Sequence, residues 1–550
     1  MRKFKFLVGA FAAVMAGALA SCTNDEPNAP DTGTESWDGD KYMAVRIKST
    51  GSAGARGAND QYELGTDTEN KITAENIRFY FFNDQGNPFV LSAGNVNGTV
   101  SETNMVKPVD LSSDIQNGNT TGAINGVLVL GKPAQGYVGT QPAYVVCVAN
   151  RTAANGFEEL ANIPMSQLAV RTVNKQDQGP GQWDTFIMAS STYIGQDRTG
   201  AERRIFYSDV KDKFHSTPQA AEGDPVDIYI ERLAVKNRVK GLDTYVSQVK
   251  TDAGYTDALY EIVDANGNVT ETKLSVELTG WQVWNKYSHC RVFKLIEVGA
   301  NYFPNWNDPT YHRSYWSVTP GLTSEILRKD LDIYDASQFA LGNYSYTTVD
   351  GKKVETNIDY CHPNTAWNNS SLDGGPQSVS DRTSNATGIF VRGVVKLGDE
   401  AIDMVRWAGS YYRLDDFKTL VINTYNKTMI SEGGSQLTVD AVSLVADGNG
   451  DNHYKVQVNK TDYSRFNRIL WWKDGVTSFY INIKHADDAQ GKPLYGLVRN
   501  HIYETEISSV VGLGVPGNDI QNPEVEDETF LAARINVLNW RVISNSVVLE

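Results

Sequence analysis

Short runs in which apolar and polar residues alternate dominate the chain. In "VDIYIERLAVKNRVK" (226–240), Val226, Ile228 and Ile230 alternate with Asp227 and Tyr229. That is the two-residue period of a strand with one buried face, and the whole stretch predicts a regular strand pair. "GVLVLG", "AYVVCVAN", "TGIFVRGVVKL", "HYKVQVN", "SFYINIKH" and "INVLNWRVISNSVVL" are rich in β-branched and aromatic residues and predict further strands. Two stretches contain their own turns. "NIRFYFFNDQGNPFVL" breaks at Asn-Asp-Gln-Gly-Asn, and "YEIVDANGNVTETKLSVEL" breaks at Asn266-Gly267, so each predicts a hairpin. Helical spacing of apolar residues is confined to 322–341 and 410–430. Many short strands separated by turn signals predict an all-β chain of β-sandwiches, with a few short helices set into loops.

The 550 residues make two to four domains at roughly 100–200 residues each. Polar sequence, "GLDTYVSQVKTDAGYTD", follows the strand pair at 226–240. A junction is therefore expected near 240–250, giving an N-terminal unit at 57–245 and a C-terminal unit at 246–550. Within the second, "SLDGGPQSVSDRTSNATG" (371–388) reads as a long exposed loop.

The first residues are a targeting segment. "MRKFKF" is basic, and "LVGAFAAVMAGALA" is apolar but short for a membrane span. Residues 1–21 read as a signal peptide that ends in Leu19-Ala20-Ser21 before Cys22. A small-residue site followed by cysteine resembles a bacterial lipobox, with Cys22 as the lipidated residue; the alternative is an ordinary secretory signal with an incidental cysteine. The polar, acidic "TNDEPNAPDTGTESWDGD" that follows reads as a flexible tether. Next comes "KYMAVRIKS", with Met43, Val45 and Ile47 on one face and Tyr42, Ala44, Arg46 and Lys48 on the other. Directly after it, "STGSAGARGAND" (49–60) holds a single basic residue, Arg56, among small flexible neighbours.

Charge and chemistry narrow the function. A net charge of -16, from 50 Lys and Arg against 66 Asp and Glu, argues against nucleic acid as a partner. There is no His-Glu-x-x-His, Walker A loop, Gly-x-Ser-x-Gly elbow or dinucleotide fingerprint. The seven histidines (His215, His289, His312, His362, His453, His485 and His501) are scattered singly and read as satisfied or solvated side chains. "DGNGDN" spaces Asp447, Asn449 and Asp451 like a calcium loop. Asn452 replaces the expected glycine and Val458 the expected glutamate, so a hairpin turn is the better reading. Cys147 sits in an apolar run as a small hydrophobe; Cys290 and Cys361 either pair or remain free. The aromatic tract "YFPNWNDPTYHRSYWS" (302–317) is either a buried cluster under a loop or a sugar-binding platform. No metal, cofactor or catalytic residue is expected.

The most specific text is C-terminal. "YGLVRNHIYETEISSVVGLGVP" (495–516), followed by "LAARINVLNWRVISNSVVLE" (531–550), resembles the C-terminal signature of the Mfa-type fimbrillins, the fimbrial subunits of Bacteroidales. "YIERLAVKNRVK" resembles the family's Glu-Arg-x-x-Ala-Lys strand, with Val235 inserted before the lysine; "NDPTYHRSYWS" and "FYINIKH" resemble further family segments. Residues 86–140 and 370–450 carry no such likeness. The resemblance implies two transthyretin-like β-sandwich domains and a non-enzymatic structural role. The subunit would reach the cell outer membrane as a lipoprotein. An arginine-specific surface protease would cut at Arg56-Gly57, removing a propeptide of residues 22–56. The first strand (Met43, Val45 and Ile47) would leave, and a C-terminal strand from a neighbouring copy would replace it by donor-strand exchange.

In this chain the apolar donor candidates are Val537, Trp540, Val542, Val547 and Leu549. Read from the residues alone, the same last strand closes its own sandwich. The implied partners are other copies in a head-to-tail polymer, anchor and accessory tip subunits, the protease, and host or bacterial surface ligands. The implied product is an extracellular fimbrial shaft supporting adhesion and biofilm formation. A tip or accessory adhesin of the same system is the alternative, and a surface glycan-binding lipoprotein a more remote one.

Overall fold

The computed structural model describes Trp37 and residues 40–49, then, short breaks aside, 62–92, 102–150, 160–174, 186–296, Ser317, 341–365, 387–448, 453–487, 493–517 and 530–541. Cys22, Arg56, Gly57, the helical pattern at 322–341, the aromatic tract apart from Ser317, residues 371–386 of the exposed loop, Asn449, Asp451, Asn452, Val542, Val547 and Leu549 lie outside the described residues.

The chain is all-β in class. Its first sheet has nine strands, among them Lys41–Ser49 (β1), Ile77–Phe82 (β2), Pro108–Gln116 (β3), Asn119–Leu130 (β4), Tyr144–Ala149 (β5), Met188–Ser190 (β6) and Val226–Arg232 (β7). Neighbours run in the order β2-β5-β6-β7-β1-β4-β3. Alternation sends each strand's residues to two places. Phe79 and Phe81 of β2, Val145 and Cys147 of β5, and Val226, Ile228 and Ile230 of β7 share one core with residues of β1 and β4. Tyr80 and Phe82, with Tyr144, Val146 and Val148, face a second core on the sheet's other side. A strand buried on both faces needs an uninterrupted apolar run, which Phe79–Phe82 of β2 supply, while Arg78 before them is only half-buried.

The second sheet has twelve strands, including Val235–Lys240 (β8), Thr244–Thr251 (β9), Ser275–Trp284 (β10), Ile358–Cys361 (β11), Gly388–Leu397 (β12), Val476–Asn482 (β13), His501–Val511 (β14) and Phe530–Arg541 (β15). Its main path is β15-β14-β9-β10-β12-β13, while β8 lies between β14 and β11. Trp281, Val391, Phe479, Tyr503 and Ile507 belong to its core. The stretch 226–240 is therefore not a strand pair. β7 and β8 belong to different sheets, and the chain crosses between them at Leu233-Ala234, upstream of the junction expected near 240–250. No Gly, Pro or Asn marks the crossing, because both sides of it are buried.

A third sheet of eight strands joins Tyr260–Val263 and Val269–Thr272 to strands between Met404 and Trp472. The Asn266-Gly267 turn closes the first two as a hairpin, with Gly267 at φ +84°. The helix expected at 410–430 spans Leu414–Ser431, because Ser410–Arg413 pairs with Met404–Trp407 as a strand. Phe417, Val421 and Ile422 bury its inner face against this sheet. The segment from Asp447 links two antiparallel strands, Val442–Ala446 and His453–Val458, so the calcium-like motif falls in a hairpin connection.

Cys147, Cys290 and Cys361 are all buried, and none of them is in a disulfide. Cys290 sits in the outer core of the first sheet and Cys361 in the core of the second, so the two do not pair. Burial pushes the Cys147 thiol well above its ordinary range and that of Cys290 up to about 12.

The glycines of "GLGVPG" differ in their surroundings. Gly514 has φ +73°, and a Cβ there would meet Thr477 Oγ1 at 2.3 Å and the Phe479 ring at 2.7 Å; Gly517 has φ +82° with open space around it. Gly514→Ala should cost about 2 kcal/mol or more, from backbone strain plus a clash, and Gly517→Ala only about 1 kcal/mol, from strain alone. Urea unfolding of the two variants checks the order.

Candidate functional site

β1 lies inside the first sheet with both backbone edges engaged. It pairs antiparallel with β4 from Lys41 to Lys48 and parallel with β7 from Val45 to Ser49. The alternation read in the sequence decides its two faces. Met43, Val45 and Ile47 are almost fully buried and pack with Ile124, Leu128, Val226, Ile228 and Ile230. Burying such a side chain is worth about 1.5–3 kcal/mol. The strand thus fills a slot with an apolar floor and two hydrogen-bonding walls.

The other face of β1 is fixed by charge. Arg46 Nε donates to Asp227 Oδ1 at 2.5 Å, and Lys48 Nζ donates to Asp227 Oδ2 at 2.6 Å. The parallel register sets Arg46 beside Asp227 and Lys48 beside Tyr229, whose ring lies 5.7 Å from the ammonium. Burial raises the Asp227 carboxyl, but the hydrogen bonds and charges of Arg46 and Lys48 outweigh it and hold it below the usual carboxylate range. A cavity of about 400 Å³ opens beside this face, lined in part by Tyr144, Tyr193, Tyr207, Tyr229 and Asp227.

Trp37 adds an anchor that the sequence reading missed. It lies in the segment read as a flexible tether, yet it is buried against Phe214 and Phe89, with ring centroids 5.1 and 6.2 Å away. Its surroundings in sequence are polar and acidic, and one tryptophan in such a stretch was the sole signal. His215 holds the start of β1 through reciprocal backbone hydrogen bonds with Tyr42.

Downstream of the Arg56 segment the chain changes sheets. Tyr62–Leu64 pairs parallel with Asn539–Arg541 of β15, at the edge of the second sheet. β15 itself pairs antiparallel with β14 over nearly its whole length, setting Val537 opposite Tyr503. Val537 and Trp540 therefore lie in a strand of the chain's own sheet, the arrangement of the self-closing alternative, while the other three donor candidates follow it.

A buried ionic seam lies where β7 passes into β8. Lys294 Nζ stands 2.8 Å from Glu231. Arg232 donates to the Glu69 carbonyl at 2.9 Å and to Asn500 Oδ1 at 3.3 Å. Lys236 joins Glu69, at 3.0 Å, to Glu355, and Arg238 Nε meets Glu504 at 2.7 Å. Arg499 donates to the Val292 carbonyl at 2.7 Å. The two motifs singled out in the sequence, Glu231-Arg232 and Arg499-Asn500, thus meet in space.

Burial lowers the Arg232 guanidinium to about 10. Burial also pushes the Glu69 carboxyl up, but the charges of Lys236 and Arg232 and the Tyr360 hydrogen bond outweigh it, leaving it below the usual range. Among the described residues no group of three or more His, Cys, Asp or Glu is placed to hold a metal ion.

Three strands of the second sheet, β13, β14 and β15, fall within a stretch that carries a family match. Residues 471–546 match the model described as major fimbrial subunit protein type IV, fimbrillin, C-terminal. No curated protein matches the chain. Among solved structures, a protein described as a cell adhesion protein from Parabacteroides distasonis is 11% identical, with a TM-score of 0.35, over 90% of this chain and 96% of that one. The tip fimbrial protein Mfa3 of Porphyromonas gingivalis, C-terminally truncated, is 11% identical, with a TM-score of 0.29, over 91% of this chain and 100% of that one. These likenesses are distant. Within the matched region, Arg499 and Asn500 face the seam and Gly514 makes the tight turn.

The seam has a pH signature. A carboxyl depressed in the folded state stabilises the fold above its ordinary range, and that contribution is lost as pH falls through the folded value. Glu69→Gln should cost about 3 kcal/mol at neutral pH by unbalancing the buried cations. It should also flatten the decline in stability as pH falls below the ordinary carboxylate range. Urea unfolding across that range checks both.

Proposed function

We propose that the protein is a structural subunit of a surface fimbria, exported as a lipoprotein on Cys22, matured by cleavage between Arg56 and Gly57, and polymerised by donor-strand exchange. The match of residues 471–546 to the fimbrillin C-terminal model supports the fimbrial assignment. The observation that carries the exchange reading is the slot of β1. An interior strand with an apolar face is joined to the rest of the chain, on its C-terminal side, only through the segment that contains Arg56.

A cut there separates β1 from Tyr62–Leu64, which belongs to the other sheet. The groove left behind would offer two unpaired strand edges and an apolar floor, the combination that accepts an added strand. The donor role falls to residues 542–550, beyond the end of β15, with Val542, Val547 and Leu549 as its apolar positions; Val537 and Trp540 would anchor it. The partners are other fimbrial subunits and an arginine-specific protease, and the product is an extracellular shaft that supports adhesion and biofilm formation.

A second reading, a tip or accessory subunit, is favoured by one observation. β15 is committed to its own sheet as far as Arg541, so Val537 and Trp540 are already engaged within the chain.

Arg56→Ala should leave the precursor monomeric and membrane-associated, with an N-terminus at Cys22 instead of Gly57. N-terminal sequencing and electron microscopy of surface extracts read this out, and fibres of normal length from the variant would overturn the cleavage step. Removal of residues 542–550 should abolish incorporation downstream while the monomer unfolds at an unchanged urea concentration. A truncated monomer that no longer folds would assign the tail to its own sheet.

A further inference from the structure

The slot reads charge as well as hydrophobicity. Its floor accepts Met43, Val45 and Ile47, and the upper face of β7 meets Arg46 and Lys48 with Asp227 and Tyr229. Asp227 is partly shielded, its side chain 33% exposed, and both its oxygens are taken. A strand without cations at those two positions would leave a half-buried carboxylate unpaired beside apolar residues, which costs free energy.

The tail of this chain does not meet that demand. Laid out as an extended strand, the sequence would put Ile543, Val547 and Leu549 on one face, interrupted by Asn545. The intervening positions are Val542, Ser544, Ser546, Val548 and Glu550. None is basic, and Glu550 would repel Asp227. In the opposite facing, two serines would enter the apolar floor, and a one-residue slip exchanges the faces wholesale.

We propose that the Asp227–Tyr229 pair makes the β1 slot selective for a strand with three alternating apolar residues, a basic residue between the last two and a second basic residue directly after the third. The occupant that fits is such a strand from a different subunit, and this chain's own tail goes to a slot of other chemistry. This rests on the strand-exchange reading above.

The test uses the full chain with a sequence-specific protease site in place of residues 53–57. After cutting, fluorescein-labelled peptides compete for the slot and are followed by anisotropy. The peptide KYMAVRIKS should bind about three- to tenfold more tightly than its Arg46→Gln, Lys48→Gln version, as two partly exposed ion pairs allow. The gap should close in Asp227→Asn and shrink in high salt. A peptide of residues 540–550 should bind more weakly than KYMAVRIKS. Equal binding of the charged and neutral peptides, or a tail peptide that binds as tightly, overturns the selectivity and leaves strand exchange standing. A cut chain that keeps β1 and takes up no peptide overturns strand exchange, and the selectivity with it.

Discussion

An interior β-strand has two edges, and water is excluded from both. Every backbone N–H and C=O along them needs a partner within the sheet. β1 meets that requirement for β4 and β7 together, over eight paired positions on one side and five on the other. It also supplies Met43, Val45 and Ile47 to a core drawn from across the first sheet. Removing it would break both walls and the floor at once, so the first sheet is complete only when some strand lies there. The proposed maturation depends on that constraint.

The seam between the sheets makes the slot separable from the rest. Its charges come from β7, β8 and β14 and from Glu69, Lys294, Glu355 and Arg499, all on the C-terminal side of the Arg56 segment. None comes from β1. Buried ion pairs are weak sources of net stability, but breaking one by removing a single partner is costly. The seam thus sets the relation between the sheets independently of what fills the slot. Glu69 is the member nearest Arg56 in sequence, and the proposed cut would leave it on the mature side.

Much of this was legible along the chain, for local reasons. Period-2 alternation gave the faces of β1 and β7, Asn266-Gly267 gave a hairpin, and apolar spacing gave the helix to within a few residues. The crossing at Leu233-Ala234 was not legible, because the apolar pattern runs through it without a turn residue. Nor was the seam. Arg232 and Asn500 are 268 positions apart, and nothing in either segment names the other. Trp37 was missed because its neighbours are acidic. The Asp227 contacts were missed because its partners lie 179 and 181 positions away, although all three residues had been assigned to the polar faces of their strands.

The pairing of Tyr62–Leu64 with the end of β15 has a mechanical consequence. Tension applied beyond Arg541 would run along β15, which is held between β14 on one side and Tyr62–Leu64 on the other. Pulling parallel to a strand loads its interstrand hydrogen bonds together, in shear, whereas pulling across it would open them one by one. The load would enter the fold through a strand paired along nearly its whole length. Strand slippage would then require many bonds to fail at once.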